Sequence, residues 1–182
     1  LSSIAKDNGH ETSLGSIQLD KDNLTDKILS YKPDILAYSA MTVDMEDIKL
    51  FNKKIHEKIS CFTILGGPAT LDHNIIEDPF IDAICVGEGD EPFKEFLDKF
   101  MSNRSIDEIQ NIITSNNKDR KLNLKNRIEK LDDIPFMDRD LVYKYPEMAR
   151  FGIKGIWTNR GCAFSCPYCF NNRYNDMYKN KG

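Results

Sequence analysis

The sequence predicts an α/β fold built on a doubly wound parallel sheet, and three observations predict it. Short apolar runs of β-forming residues alternate with longer helical stripes over the first hundred residues. Two of these runs end in glycine turns, Gly66-Gly67 and Gly87-Glu88-Gly89, where strands leave one edge of such a sheet. With 40% hydrophobic and 30% charged residues over 182 positions, the chain can bury a core.

The elements follow in order. Residues 1–8 read as the tail of a helix stopped by Gly9. The first strand is expected over 12–19. A helix over 24–30 stops before Pro33 and leads to a second strand over 34–40, DILAYSA. Ile48, Phe51, Ile55 and Ile59 repeat at helical spacing and mark a helix over 45–59. Strands over 62–65 and 83–86 follow, and a closing helix over 91–101 sets Phe93, Phe96, Leu97 and Phe100 on one face. In a Rossmann-like, flavodoxin-type sheet ordered 2-1-3-4-5, a central strand would lie between those at 12–19 and 34–40. The expected sheet therefore lacks its first strand, and with two unpaired edges and an open slot it should fold poorly by itself.

From 103 to 130 the composition turns polar, with Ser115-Asn116-Asn117-Lys118-Asp119 as the turn of a hairpin. Residues 131–146 add two prolines and a run of acids, and 152–158, GIKGIWT, reads as a new strand. The organisation expected is an α/β domain over 1–103, a linker with a hairpin over 104–150, and the start of a second domain over 151–182.

A net charge of −4 from 29 acids and 25 bases, without a basic run, speaks against a nucleic-acid partner. No apolar stretch approaches the roughly 20 residues that cross a bilayer, and no basic-then-apolar leader opens the chain, so no membrane role and a cytoplasmic location are expected. Five cysteines with three clustered do not form a disulfide framework, and reduced thiols are available as ligands.

Those three, Cys162, Cys166 and Cys169, are spaced C-x3-C-x2-C within GCAFSCPYCF. Three thiolates can hold three irons of a cubane [4Fe-4S] cluster and leave the fourth open to an outside ligand. Gly161, Ser165 and Pro167 let so short a loop turn sharply. A structural zinc site would need a fourth protein ligand, and the other candidates, Cys61, Cys85, His10, His56 and His73, all lie in the first hundred residues.

A strand followed by C-x3-C-x-aromatic-C resembles the opening of a radical S-adenosylmethionine enzyme. The resemblance implies that the open iron chelates the amino and carboxylate groups of S-adenosyl-L-methionine, and that reduction cleaves its sulfonium to give a 5′-deoxyadenosyl radical. Tyr168 matches the aromatic position that usually lies near the adenine. The segments SAMT (39–42), LGGPAT (65–70) and VGEGDEPF (86–93) fall at three successive carboxyl ends of strands, the edge where such sheets bind ligands. They resemble the cobalamin-binding domain that precedes many radical S-adenosylmethionine domains. That resemblance implies that Ser39 and Thr42 contact the buried nucleotide tail of cobalamin, and that Gly66, Gly67, Gly87 and Gly89 let the backbone approach it.

Read as residues alone, the glycines are turns, Ser39 is an N-cap or a core hydroxyl, and Thr42 caps the following helix with Asp44 and Glu46. The histidine string of methionine-synthase-type cobalamin domains, D-x-H-x-x-G, does not occur. His10 reads as a helix-exit residue, His56 and His73 as solvated surface, Cys61 and Cys85 as buried inert thiols. Methylthiotransferases have a similar layout but need three more cysteines in the first domain. Asp132, Asp133, Asp138 and Asp140 read as a solvated connector.

The function expected is that of a cobalamin-dependent radical S-adenosylmethionine enzyme, commonly a methyltransferase. It would take a small-molecule or peptide substrate and an external electron donor. Its remaining S-adenosylmethionine contacts are expected beyond residue 182, so that these residues alone should be inactive. The alternatives are a radical enzyme whose first domain is a cobalamin-free scaffold, and a metal-stabilised binding module.

Overall fold

The computed structural model describes residues 1–119, 121–156 and 158–179. In chain order the elements are α1 (Ser2–Asp7), α2 (Ile17–Asp20), α3 (Leu24–Tyr31), β1 (Ile35–Ser39), α4 (Met45–His56), β2 (Phe62–Gly66) and β3 (Ala83–Cys85). They continue with α5 (Asp90–Met101), β4 (Ile112–Thr114), α6 (Arg139–Tyr143), α7 (Pro146–Arg150) and α8 (Phe170–Tyr178). Two compact units divide the chain: Gly15–Lys125, and Leu1–Leu14 with the described residues from Asn126 onward.

The first unit holds a four-stranded sheet ordered β1-β2-β3-β4. β1 runs parallel to β2, with Ile35 opposite Phe62 and Ser39 opposite Gly66. β2 runs parallel to β3, pairing Leu65 with Ile84, and β4 lies antiparallel, pairing Cys85 with Ile112. This is the α/β, Rossmann-like sheet expected, with one antiparallel edge strand added. Its core is assembled from the helical stripes read in the sequence: Ile48 and Ile55 of α4, Phe93, Phe96 and Leu97 of α5, and Ile64, Leu65, Ala83 and Ile84 of the strands are all buried. Phe96, with no exposed surface, lies 5.3 Å from the Phe62 ring, 5.5 Å from Phe100 and 5.9 Å from Phe93, centroid to centroid.

Three local expectations give way. Residues 12–19 form no strand, because Ser16 caps a helix there: its hydroxyl accepts from the Leu19 amide at 3.2 Å while its own amide donates to the Asp20 carboxylate at 2.8 Å. The expected hairpin supplies one strand, β4, which pairs with β3 instead of with its sequence neighbour. Of the strand expected over 152–158, the described residues 152–156 and 158 carry no ladder, and Trp157 lies outside the described residues. An alternating run becomes a strand only when a partner takes its amides.

In the second unit α1 buries Ile4 and Ala5. Ser3 Oγ donates to the Phe136 carbonyl at 2.5 Å, and Tyr145 donates its hydroxyl proton to the Leu14 carbonyl at 3.1 Å. Asp138 accepts from Lys6 Nζ at 2.7 Å, from Ser2 Oγ at 2.6 Å and from the Leu141 amide, the last of these capping α6. This corrects the expectation of a merely solvated acid. The Lys6 and Ser2 bonds hold the Asp138 carboxyl down at about 2. Among the described residues no helix is long and apolar enough to cross a membrane.

Candidate functional site

The parallel register sets the carboxyl ends of β1, β2 and β3 side by side, and the loops leaving them are fused by backbone and by buried side chains. Ala40 N donates to Gly66 O at 3.0 Å and Ala69 N to Ala40 O at 3.0 Å, so the loops after β1 and β2 hold each other. Gly67 makes this approach possible. Its φ of +88° is left-handed, and a Cβ there would stand 2.7 Å from Ala40 O and 2.8 Å from Ala40 N. Thr70, fully buried, shares its hydroxyl proton between Gly67 O at 2.8 Å and Cys85 O at 3.1 Å, and thereby ties the second loop to the end of β3.

Asn111 does the same for the third loop. It is 1% exposed, and its Nδ2 donates to Val86 O at 2.9 Å and Glu88 O at 3.1 Å while its Oδ1 accepts from the Lys125 amide at 2.7 Å. Its backbone also takes a left-handed φ of 66°, and its carbonyl accepts from Val86 N at 2.8 Å. Neither residue was singled out from the sequence. The one local signal for Asn111 is its residue type, since Asn tolerates a left-handed backbone better than most; for Thr70 the local signal is its place at the end of LGGPAT, three residues after the Gly67 carbonyl that it bonds.

The expected cobalamin contacts fall on this shelf. Ser39 ends β1 and is exposed, Gly66 ends β2 opposite it, and Gly87 follows β3 with a left-handed φ of 84°. Gly89 is the N-cap of α5 with an ordinary φ of −104°. Thr42 is exposed and opens a 3-10 turn over Thr42–Asp44. It caps no helix: the Asp44 carboxylate accepts from the Met41 amide at 3.1 Å in the place where capping by Thr42 was expected. The strand ends thus carry two exposed hydroxyls, Ser39 and Thr42, beside half-buried glycines.

The other thiols and histidines sort themselves by burial. Cys85 is buried in β3, and burial first, then the charge of Asp90, pushes its thiol up to about 12. Cys61 is half-buried, and desolvation again raises its thiol. His56 is not a solvated residue: half-buried, it sits 2.8 Å from Thr63 Oγ1 with its ring 5.6 Å from that of Phe80. Thr63 in turn donates to Asn52 Oδ1 at 3.2 Å, and Tyr38 donates there at 3.3 Å, which satisfies a buried polar knot between α4 and the sheet. Burial raises the Tyr38 phenol strongly, so it stays a neutral donor. His73 is exposed.

In the second unit, Gly161 turns the chain with a φ of +86° into the cysteine loop. Cys162, Cys166 and Cys169 are all half-exposed free thiols. Cys169 is the N-cap of α8 and its amide donates to Cys166 O at 3.1 Å. Tyr168 is 89% exposed and Phe164 74%. The donor set suits a three-thiolate metal site, yet the structure does not bring the three sulfurs together: among the described residues no three of His, Cys, Asp and Glu converge on a point that could hold an ion.

The shelf and its sheet define a class first, that of doubly wound α/β domains that hold a cofactor across their strand ends. The chain belongs to the B12 binding domain family, which matches residues 1–97. It is 33% identical over 153 residues to a protein of Pyrococcus horikoshii named "uncharacterized methyltransferase PH0819", an alignment covering 78% of this chain and 32% of that protein. The chain thus spans about a third of the length of this curated relative. Two solved structures of the radical S-adenosylmethionine methyltransferase TsrM from Kitasatospora setae share the fold. One, with cobalamin and a [4Fe-4S] cluster bound, superposes with a TM-score of 0.57 at 14% identity, covering 78% of this chain and 28% of that one. The other, with tryptophan substrate and a S-adenosylmethionine analogue, gives 0.55 at 15%, covering 63% and 24%.

Proposed function

We propose that this chain is the cobalamin-binding and cluster-carrying part of a cobalamin-dependent radical S-adenosylmethionine methyltransferase. The observation that carries the reading is the fused shelf at the strand ends, within a chain of the B12 binding domain family. The cysteine spacing and the methyltransferase names of its relatives support the rest.

Gly66, Gly87 and Gly89 would let cobalamin approach the backbone, Gly67 would serve by holding the first two loops together, and Ser39 and Thr42 would offer hydroxyls to its nucleotide tail. Cys162, Cys166 and Cys169 would hold a [4Fe-4S] cluster, with Tyr168 beside the adenine of S-adenosyl-L-methionine. Bound there, the two cofactors supply methyl-group and radical chemistry. The residues of this chain bind, orient and shield them. The substrate is a small molecule or peptide, and electrons come from an external donor.

The test is anaerobic purification of the full-length protein with iron, sulfide and hydroxocobalamin. Four irons per chain, comigrating cobalamin, and loss of the iron signal in Cys166→Ala are expected. A cluster that survives Cys166→Ala, or a colourless protein carrying stoichiometric zinc, overturns the radical reading; an iron-loaded protein that passes hydroxocobalamin through overturns the cobalamin reading and leaves a scaffold in its place.

A further inference from the structure

Within the second unit a set of polar contacts converges on the first cysteine of the cysteine loop. Asn175, on α8, donates from Nδ2 to the carbonyl oxygen of Cys162 at 2.8 Å, and its Oδ1 accepts from Arg127 Nη2 at 3.2 Å. The same guanidinium reaches the Tyr174 carbonyl at 3.5 Å and lies 4.8 Å from the ring centroid of Tyr178, itself only 3% exposed. Positions 174, 175 and 178 share one side of α8, so a single guanidinium spans that side and holds Asn175 in place. Gly161 is held to glycine by its backbone and not by crowding: its φ of +86° is left-handed, which strains most side chains.

The consequence concerns spacing. Cys169 is the N-cap of α8, and through Asn175 the backbone of Cys162 is tied to the same helix. Cys166 is tied to Cys169 by the bond from the Cys169 amide to its carbonyl. The three cysteine positions therefore hang from one helix, although Ala163, Phe164 and Ser165 between them are exposed. Closing a loop costs conformational entropy, and a loop closed beforehand spares the metal that cost.

We propose that Arg127 and Asn175 are positioning residues for the cluster loop, fixing Cys162 on the helix that carries Cys169. The proposal rests on the cluster reading above, and its experiment separates the two. Wild type, Asn175→Ala, Arg127→Ala and Arg127→Lys are prepared as the full-length protein. In the metal-free state, amide hydrogen exchange over residues 161–169 is expected to speed up about fivefold in both alanine variants, the scale of one lost hydrogen bond. Arg127→Lys should fall between, because an ammonium keeps the charge but cannot both stack on Tyr178 and fork to Asn175. After reconstitution, iron release to a chelator should quicken in the same order while circular dichroism stays that of wild type. If the alanine variants do not fold, Arg127→Lys carries both measurements. Unchanged exchange and unchanged iron release, in a protein whose wild type holds the cluster, overturn the positioning role alone. A wild type that takes up no iron overturns the cluster reading and this role with it.

Discussion

The strand-end loops and the cysteine loop are held by opposite means. Thr70 and Asn111, each at most 1% exposed, direct side-chain hydrogen bonds to the backbone of the loops they join. Around the three cysteines, by contrast, no residue from Gly161 to Phe170 is buried, and the segment is held by the bond from Asn175 to the Cys162 carbonyl and by the turn from the Cys169 amide to the Cys166 carbonyl. Buried amides and hydroxyls are costly unless bonded, so the first arrangement is all or nothing and exists before any cofactor arrives. The second leaves its three thiols half-exposed and hangs on few polar contacts.

If that contrast is right, equal losses of side chain should have unequal effects. Phe96→Ala removes a fully buried ring packed against Phe62, Phe93 and Phe100 and should cost about 3–5 kcal/mol in urea denaturation. Phe164→Ala, on a ring 74% exposed, should stay within about 0.5 kcal/mol. Comparable losses at the two positions would break the contrast.

A smaller effect sharpens it. Asn111→Ala strips the pins from Val86 and Glu88 and leaves the Lys125 amide without its acceptor, at a cost of about 2–3 kcal/mol. Because Asn111 sits at a φ of 66°, Asn111→Gly loses the same bonds but sheds the strain, and should be milder than the alanine variant by about 1 kcal/mol. Both should weaken hydroxocobalamin retention by the full-length protein. A glycine variant as stable as wild type would mean that the backbone, not the amide, holds the third loop.

How much of this was legible follows the same division. Strands β1, β2 and β3 and helices α4 and α5 could be read because their signals are local: alternation, a 3.6-residue stripe, glycines at the turns. The misreading at 12–19 was a contest of two local signals. TSLGSIQL alternates well enough for a strand, but Ser16 and Asp20 stand at capping distance and win. Thr70 and Asn111 were missed for another reason. What they do depends on carbonyls 15 and 25 positions away, at Cys85 and Val86, which no window along the sequence brings together. His56 and Asp138 were read as solvated for the same cause, since their partners come from other elements. The cysteine spacing was plain at once, whereas its tie to Arg127, 48 residues before Asn175, was not.

The smallest effect separates the units by pH. Asp138 has an ordinary value of 3.8 and is held at about 2 by Lys6 and Ser2, so the folded form binds its proton less readily than the unfolded one. The stability from this tie is therefore fully present above about pH 4 and is withdrawn as the pH falls toward 2. Lys6 is 45% exposed, so the gain is small and salt should screen it. Asp138→Asn keeps an oxygen for the Leu141 amide and removes only the charge. With exchange rates corrected for their intrinsic pH dependence, the protection of α1 amides should fall between pH 4 and pH 2 in wild type, stay flatter in Asp138→Asn, and remain constant for the Asn111-pinned loop of the sheet unit over that range. An acid response of α1 that is identical in both proteins would show that packing of Ile4 and Ala5, rather than charge, holds the helix, and the two units would then differ less than their polar contacts suggest.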